Sequence, residues 1–241
     1  MPLKAVTFDF HDTLVDCDEW FQLEIRELVP ALLDWAAARE LIPSEDERKP
    51  EAITRYRAIR SAVIESGIER DAVSCAMLVL EEMRIEIPED IVERGVNELM
   101  RVALRSASPH EGAIETVFAL SEAGLTLGVV SSAAHHGFLE WSLAEYGMVD
   151  CFAAIVTSAD SGHYKSTPRI YEHALRLLGA TAPESVHVGD SLLYDVASSS
   201  EIGMRTVWLR RSAGELNGIV PDLTVTTLVG LAPRLLTTFA E

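Results

Sequence analysis

The chain has 241 residues, 48% hydrophobic and 24% charged, the composition of a globular protein long enough for one substantial core and an inserted module. A formal net charge of -18 excludes a nucleic-acid binder that works through a basic surface, but it admits an anionic substrate, because a bound divalent cation would dominate the field around it. No stretch approaches the roughly 18 apolar residues of a membrane span, and residues 1–8 are too short for a secretory leader.

In chain order, the apolar run Ala5-Val6-Thr7-Phe8 predicts a short buried strand that stops at Asp9. The following residues, Phe10-His11-Asp12-Thr13-Leu14, turn polar. A carboxylate at the carboxyl end of an N-terminal strand sits where open α/β sheets build their sites. Alone, Asp9 reads equally as a nucleophile, a metal ligand or a turn residue. Residues 20–105 carry helical periodicity and no strand. Phe21, Ile25, Leu28 and Leu32 share one face, and Pro30 predicts a kink or a split there. A charged loop over 44–49 lies between Pro43 and Pro50. Helices are predicted over 53–64, 72–83 and 91–104, with Pro88 near the start of the last.

Beyond Glu111 the pattern alternates. A helix over 113–123 closes at Gly124, followed by a strand over 125–130, a helix over 137–146 and a strand over 152–156. A helix over 169–178 closes at Gly179, a strand covers 186–188, a helix over 196–202 closes at Gly203, and a strand covers 206–209. A weak strand over 223–225 and a last helix follow. This alternation predicts βαβ units. The predicted fold class is therefore α/β, a doubly wound parallel core (residues 1–15 and 106–241) interrupted by an α-helical domain (residues 16–105). Cys17, Cys75 and Cys151 are too scattered for a disulfide framework or a zinc site and predict free thiols in a reducing cytoplasm.

Four polar signals fall after or near predicted strands: Asp9 to Thr13, Ser131-Ser132, Lys165, and Gly189-Asp190-Ser191 with Asp195. Each has an ordinary structural explanation, a cap, a turn or a solvated charge. Four in order along one α/β chain point to a common site.

With these motifs in view the chain resembles the haloacid dehalogenase superfamily over nearly its whole length. Asp9 with Thr13-Leu14, Ser131, Lys165 with Pro168, and Gly189-Asp190-Ser191-Leu192-Leu193-Tyr194-Asp195 match its motifs in order, and residues 16–105 look like its helical cap. The resemblance implies a Mg²⁺-dependent hydrolase of a small phosphorylated metabolite that works through an aspartyl-phosphate. Asp9 would be the nucleophile. Asp9, Asp190, Asp195 and the backbone carbonyl of His11 would hold Mg²⁺, Asp195 directly or through water. Lys165 would neutralise charge, and Thr13, Ser131 and Ser132 would contact the phosphoryl group or support its loop. Such an arrangement needs neither nucleic acid nor membrane and leaves monomer or homodimer open.

The chain departs from the family at His11, where most phosphatases of this kind carry the Asp that protonates the leaving group. Imidazole, with a reference pKa of about 6.5, suits the same task. The alternative is a histidine that merely fills the position, in a module that binds Mg²⁺ and phosphate without turnover. Asp12 would face away from His11 and suits a left-handed turn. Ser132 stands where many relatives have Asn, and Ser166 where many have Pro. A 2-haloacid dehalogenase has no use for the pair Asp190 and Asp195. A phosphonate hydrolase needs a cap lysine, and only Lys49 is available. His135 and His136 either reach the substrate or open a helix. Arg55, Arg57 and Arg60 either meet an anion or form a solvated face. Trp20 and Phe21 either line the cavity or pack in the core.

Overall fold

The structure is a computed structural model that describes residues 1–44, 46–211 and 218–240. Strand β1 (Ala5–Phe8) is buried along its length, as its apolar run requires of a central strand. The chain then passes through β2 (Val15–Asp16) into a helical insertion: α1 (Asp18–Gln22), α2 (Leu28–Ala37), α3 (Lys49–Ser66), α4 (Ala72–Glu82) and α5 (Glu89–Ala103). It returns through β3 (Ser108–Pro109), which pairs antiparallel with β2 and closes the insertion at its base. Then follow α6 (Ala113–Glu122), β4 (Thr126–Ser131), α7 (His136–Glu145), β5 (Phe152–Thr157), α8 (Ser158–Ser161) and α9 (Arg169–Leu178). The chain ends with β6 (Ser185–Gly189), α10 (Ser198–Ser200), β7 (Arg205–Leu209), β8 (Leu223–Val225) and α11 (Leu231–Thr238).

The six long strands form one parallel sheet in the order β5-β4-β1-β6-β7-β8. The chain runs outward from β1 through β4 to β5, then crosses back to β6 and runs out the other way. The order thus reverses beside β1, the place where doubly wound sheets open a crevice at their carboxyl ends. One apolar cluster runs from Val6, Phe8 and Val188 in the sheet to Leu28, Tyr56, Val79 and Met100 in the insertion. Among the described residues no helix is long and apolar enough to cross a membrane, and Cys17, Cys75 and Cys151 are free thiols.

Most predicted elements fall within a few residues of the observed ones. Pro30 neither ends nor splits the helix: a π-helical turn, Leu23–Glu27, precedes it, and α2 runs on through Pro30. The wider turn gives room for a ring that would otherwise meet the carbonyl four residues back. The expected loop over 44–49 holds a 3₁₀ turn, Asp46–Arg48, and α3 begins at Lys49, while residue 45 lies outside the described residues. The helix expected over 196–202 begins earlier with a π-helical segment, Leu192–Ala197, because Ser191 caps it through the Tyr194 N–H at 3.2 Å. The pair β2–β3 and helix α8 are too short to leave a periodic signal.

Gly112 carries the C-terminal segment. Its φ is +82°, and a Cβ there would lie 2.5 Å from the Val229 backbone N. Gly112→Ala should cost about 1–3 kcal/mol, lowering Tm by roughly 2–12 °C. Gly124→Ala, at φ +81° but with open space around it, should cost less. Thermal unfolding of the two variants checks this order.

Candidate active site

Strand order explains how residues far apart in the chain meet. β1 lies between β4 and β6, with Phe8 opposite Val129 on one side and Val188 on the other. The residues that leave these three strands, Asp9, Ser131-Ser132 and Asp190, therefore emerge side by side. The Asp9 N–H donates to Val188 O at 2.9 Å, which ties the first loop to the third strand. These residues, Lys165, Asp195 and His11 line a cavity of about 470 Å³, roofed by Trp20, Phe21, Glu24, Ile25, Arg57 and Arg60 of the insertion. A larger groove of about 860 Å³ runs along α4 and the start of α5, but no strand-end residue lines it. The strand-end residues, and with them the candidate site, lie in the smaller cavity.

Asp9, Asp190 and Asp195 each offer one carboxylate oxygen, all within 4.8 Å of one another. Lys165, buried, is their counter-charge: its Nζ donates to Asp9 Oδ1 and, at 2.7 Å, to Asp195 Oδ1. Its own backbone N–H donates to Ser132 Oγ at 3.3 Å, joining the lysine turn to the serine loop. Asp195 is further held by His187 Nε2 at 3.1 Å, Tyr171 Oη at 3.4 Å and the Ser191 N–H at 2.9 Å. Gly189 makes this seat possible, since a Cβ there would lie 2.3 Å from Asp195 Cγ.

The charge states follow from these contacts. Burial opposes ionisation of Asp195, but Lys165 and His187 outweigh it and hold the carboxyl below its usual range. Burial also opposes the charge on Lys165, but Asp195 and Asp9 outweigh it and raise the lysine. Asp9 is raised by burial and Asp195, against the pull of Lys165. Asp190 is pushed up to about 8 by burial and by Asp9 and Asp195. Its carboxylate accepts no hydrogen bond from the described residues. One ammonium thus serves three carboxylates, and the least satisfied of them faces the cavity. The donor set is oxygen, with no His or Cys cluster among the described residues, and fits a hard divalent cation such as Mg²⁺.

His11 lies in the cavity wall, its ring stacked on Phe21 at 4.5 Å and 11°. Nδ1 is 3.6 Å from Asp12 and Nε2 3.6 Å from Asp18, beyond hydrogen-bond reach, and Nε2 has no hydrogen-bond partner among the described residues. Asp12 adopts φ +57°, the left-handed turn that its residue type favours. Ser131 and Ser132 both line the cavity. Thr13, expected to contact the phosphoryl group or support its loop, is fully buried and is not part of the cavity wall, and its hydroxyl has no hydrogen-bond partner among the described residues.

The open alternatives divide. His135 caps α7, accepting from the Phe138 N–H at 3.1 Å, and His136 opens that helix. The arginines do not form one face: Arg55 pairs with Glu51 and Glu82 in solvent, whereas Arg57 and Arg60 line the cavity. Trp20 does both, lining the cavity and stacking on the buried Phe138 at 4.9 Å. Sequence reasoning missed His187, Tyr171 and Glu24. His187 had one signal, a lone histidine in the apolar run Val186-His187-Val188.

Residues 3–203 match the haloacid dehalogenase-like hydrolase family. The chain is 29% identical over 210 residues to a glyceraldehyde 3-phosphate phosphatase of Methanopyrus kandleri, covering 87% of this chain and 84% of that one. It is 26% identical to the enzyme of the same name from Methanothermobacter thermautotrophicus, covering 92% and 95%. Among solved structures it resembles a 2-haloacid dehalogenase of Pseudomonas syringae, with TM-score 0.71, 25% identity and coverage of 99% and 100%.

The crowding of carboxylates makes a prediction. In metal-free buffer at pH 8, Asp190→Asn should raise Tm, because one of three clustered carboxylates is gone. Mg²⁺ at 100 times its dissociation constant should raise the wild-type Tm by about 5–10 °C and the variant's much less. A wild-type Tm that ignores Mg²⁺ would remove the cation site.

Proposed function

The chain belongs to the haloacid dehalogenase-like hydrolase family, and on that premise we propose that it is a Mg²⁺-dependent phosphatase of a small phosphorylated metabolite, working through an aspartyl-phosphate on Asp9. The observation that carries this reading is the grouping of Asp9, Asp190 and Asp195 around the single ammonium of Lys165 at the head of one cavity.

Asp9 attacks phosphorus: an O–P bond forms, and the bond from phosphorus to the ester oxygen breaks. Protonated His11 gives its proton to that departing oxygen. Water then attacks the aspartyl-phosphate, neutral His11 takes the water's proton, and the Asp9–phosphorus bond breaks. Lys165 offsets charge on Asp9 and the phosphoryl group, while the hydroxyls of Ser131 and Ser132 donate to phosphoryl oxygens. Asp9, Asp190, Asp195 and the His11 carbonyl would hold Mg²⁺, whose chemistry is to neutralise the repulsion between a carboxylate and a phosphate dianion. Because Lys165, His187 and Ser191 already occupy Asp195, Asp190 and Asp9 are the more available ligands. Residues 16–105 act as a cap that shields the reaction from bulk water.

The relatives named as glyceraldehyde 3-phosphate phosphatases make three-carbon phosphates the first substrates to try. The free thiols suit a reducing cytoplasm. The likeness to a dehalogenase structure favours a second reading, attack on a carbon–halogen bond. Such attack needs no cation and would leave Asp190 as net repulsion, so the phosphatase reading accounts for more of the site. Lys49 pairs with Asp34 at 2.5 Å and is not part of the cavity wall, which leaves a phosphonate hydrolase without its amine.

Phosphate release from a panel of phosphate monoesters should depend on Mg²⁺ and should disappear in Asp9→Asn with the fold intact. Turnover retained in that variant would remove Asp9 as nucleophile. His11→Ala should slow release by roughly 10²–10⁴-fold and flatten the pH profile. Unchanged rate and profile would eliminate His11 as acid and base. Mg²⁺ binding without release from any ester would favour the non-catalytic module.

A further inference from the structure

We infer that Glu24 reads the leaving group in this cavity, accepting a hydrogen bond from a substrate hydroxyl, so that the enzyme takes phosphate esters of polyols or hydroxy-aldehydes in preference to phosphorylated acids. The inference rests on the phosphatase reading above and concerns the wall that the helical insertion gives the cavity.

Glu24 lies in the π-helical turn Leu23–Glu27 of the insertion and forms part of the cavity wall between Phe21 and Ile25. Such turns recur at functional sites because they re-aim side chains relative to a regular helix. The residue is only 3% exposed. Its Oε2 accepts the Ala134 N–H at 2.8 Å, across the junction between insertion and core. Its Oε1 is buried and has no hydrogen-bond partner among the described residues. A buried carboxylate oxygen without a donor is unfavourable, and a ligand hydroxyl would supply one.

The neighbouring groups are committed elsewhere. Arg60, the nearest buried cation, forms two hydrogen bonds to Glu69, at 2.6 and 3.2 Å. Glu69 also accepts from Ser158 Oγ at 2.6 Å and from the Arg70 N–H at 2.8 Å, so both its oxygens already have donors. Tyr56 Oη donates to the Glu24 backbone carbonyl, not to its carboxylate. The two buried carboxylates, Glu24 and Glu69, face a single buried arginine, so this wall of the cavity disfavours a carboxylate on the leaving group. Arg26 and Arg57 also line the cavity and bear the opposite charge, but both are exposed, and Arg26 pairs with Glu27 at 2.9 Å. A solvated charge there draws phosphate esters toward an acidic protein without choosing among their leaving groups. Burial pushes the Glu24 carboxyl up to about 7, so an assay at pH 8 presents it mainly as an acceptor.

The test compares kcat/KM for glycerol 3-phosphate, propyl phosphate and 3-phosphoglycerate at pH 8 with Mg²⁺, in the wild type and in Glu24→Gln. The amide oxygen of Gln can keep the bond to Ala134 while its amino group presents a donor in place of Oε1. The wild type should prefer glycerol 3-phosphate to propyl phosphate by on the order of 10–100-fold. In Glu24→Gln that ratio should fall, because a neutral amide donating to the hydroxyl replaces the stronger charge-assisted bond, and the ratio of 3-phosphoglycerate to glycerol 3-phosphate should rise. A wild type indifferent to the hydroxyls, or a variant with both ratios unchanged, would overturn the assignment of Glu24 alone. No Mg²⁺-dependent hydrolysis of any of the three esters would overturn the phosphatase reading and this inference with it. The wild-type comparison stands even where the variant fails to fold.

Discussion

The arrangement of the site depends on one buried ammonium. Lys165 bonds Asp9 and Asp195 at once, and Asp190 stands beside them. Removing charged groups from water is costly, and the cost is recovered only where geometry is tight and the remaining lone pairs are used. Asp195 meets that condition, with donors from Lys165, His187, Tyr171 and Ser191 around its two oxygens. Asp190 does not. The fold therefore fixes one carboxylate firmly, leaves another short of partners, and places the proposed nucleophile between them. A site of this kind is tuned for a ligand that brings positive charge with it, which is the physical content of the Mg²⁺ proposal.

The parallel sheet is what makes this convergence cheap in structure. Asp9, Ser131 and Asp190 need no long loops to meet, because β4, β1 and β6 are adjacent and point the same way. Lys165 arrives differently, from the turn between α8 and α9, and is held by its backbone bond to Ser132. The insertion shares the same apolar cluster as the sheet and closes the cavity from above. The insertion also touches the phosphate side of the site through Glu24 and Ala134. In the proposed enzyme, substrate selection and the seating of the Ser131 loop are thus linked through one side chain.

How much of this was legible in the sequence depends on how each residue announces itself. Asp9, Ser131 and Asp190 were readable because each falls at the end of an apolar strand; singly each could be a cap or a turn, and their recurrence in order along one α/β chain is what pointed to a site. The parallel α/β core was readable for the same reason, since strand and helix periods alternate cleanly beyond Glu111. His187 was not, because its side chain leaves the middle of β6 and only the three-dimensional position of Asp195 gives it a purpose. Glu24 was hidden by the π-helical turn, which shifts side chains out of the 3.6-residue period on which the helical reading relied. The arginines of α3 looked like one group by spacing, yet Arg55 turns to solvent acids while Arg60 is buried against Glu69. Spacing along a helix assigns a face, and the packing of neighbours decides what that face meets.

His11 shows how the insertion and core share one proposed chemical step. A carboxylate at this position would need hydrogen bonds to hold its orientation. The imidazole is instead held by a flat contact, stacked on Phe21 of α1 at 4.5 Å, with Asp12 and Asp18 both 3.6 Å away. Neither acid is close enough to capture the ring, so Nε2 stays without a partner among the described residues. A proton carrier needs that freedom, because a ring nitrogen tied to a carboxylate cannot face the ester oxygen and then water in turn. Phe21 belongs to the insertion and His11 to the loop after β1. In the proposed reaction, Phe21 is therefore a positioning residue: the insertion, through this one flat contact, sets the orientation of the acid and base that the core supplies.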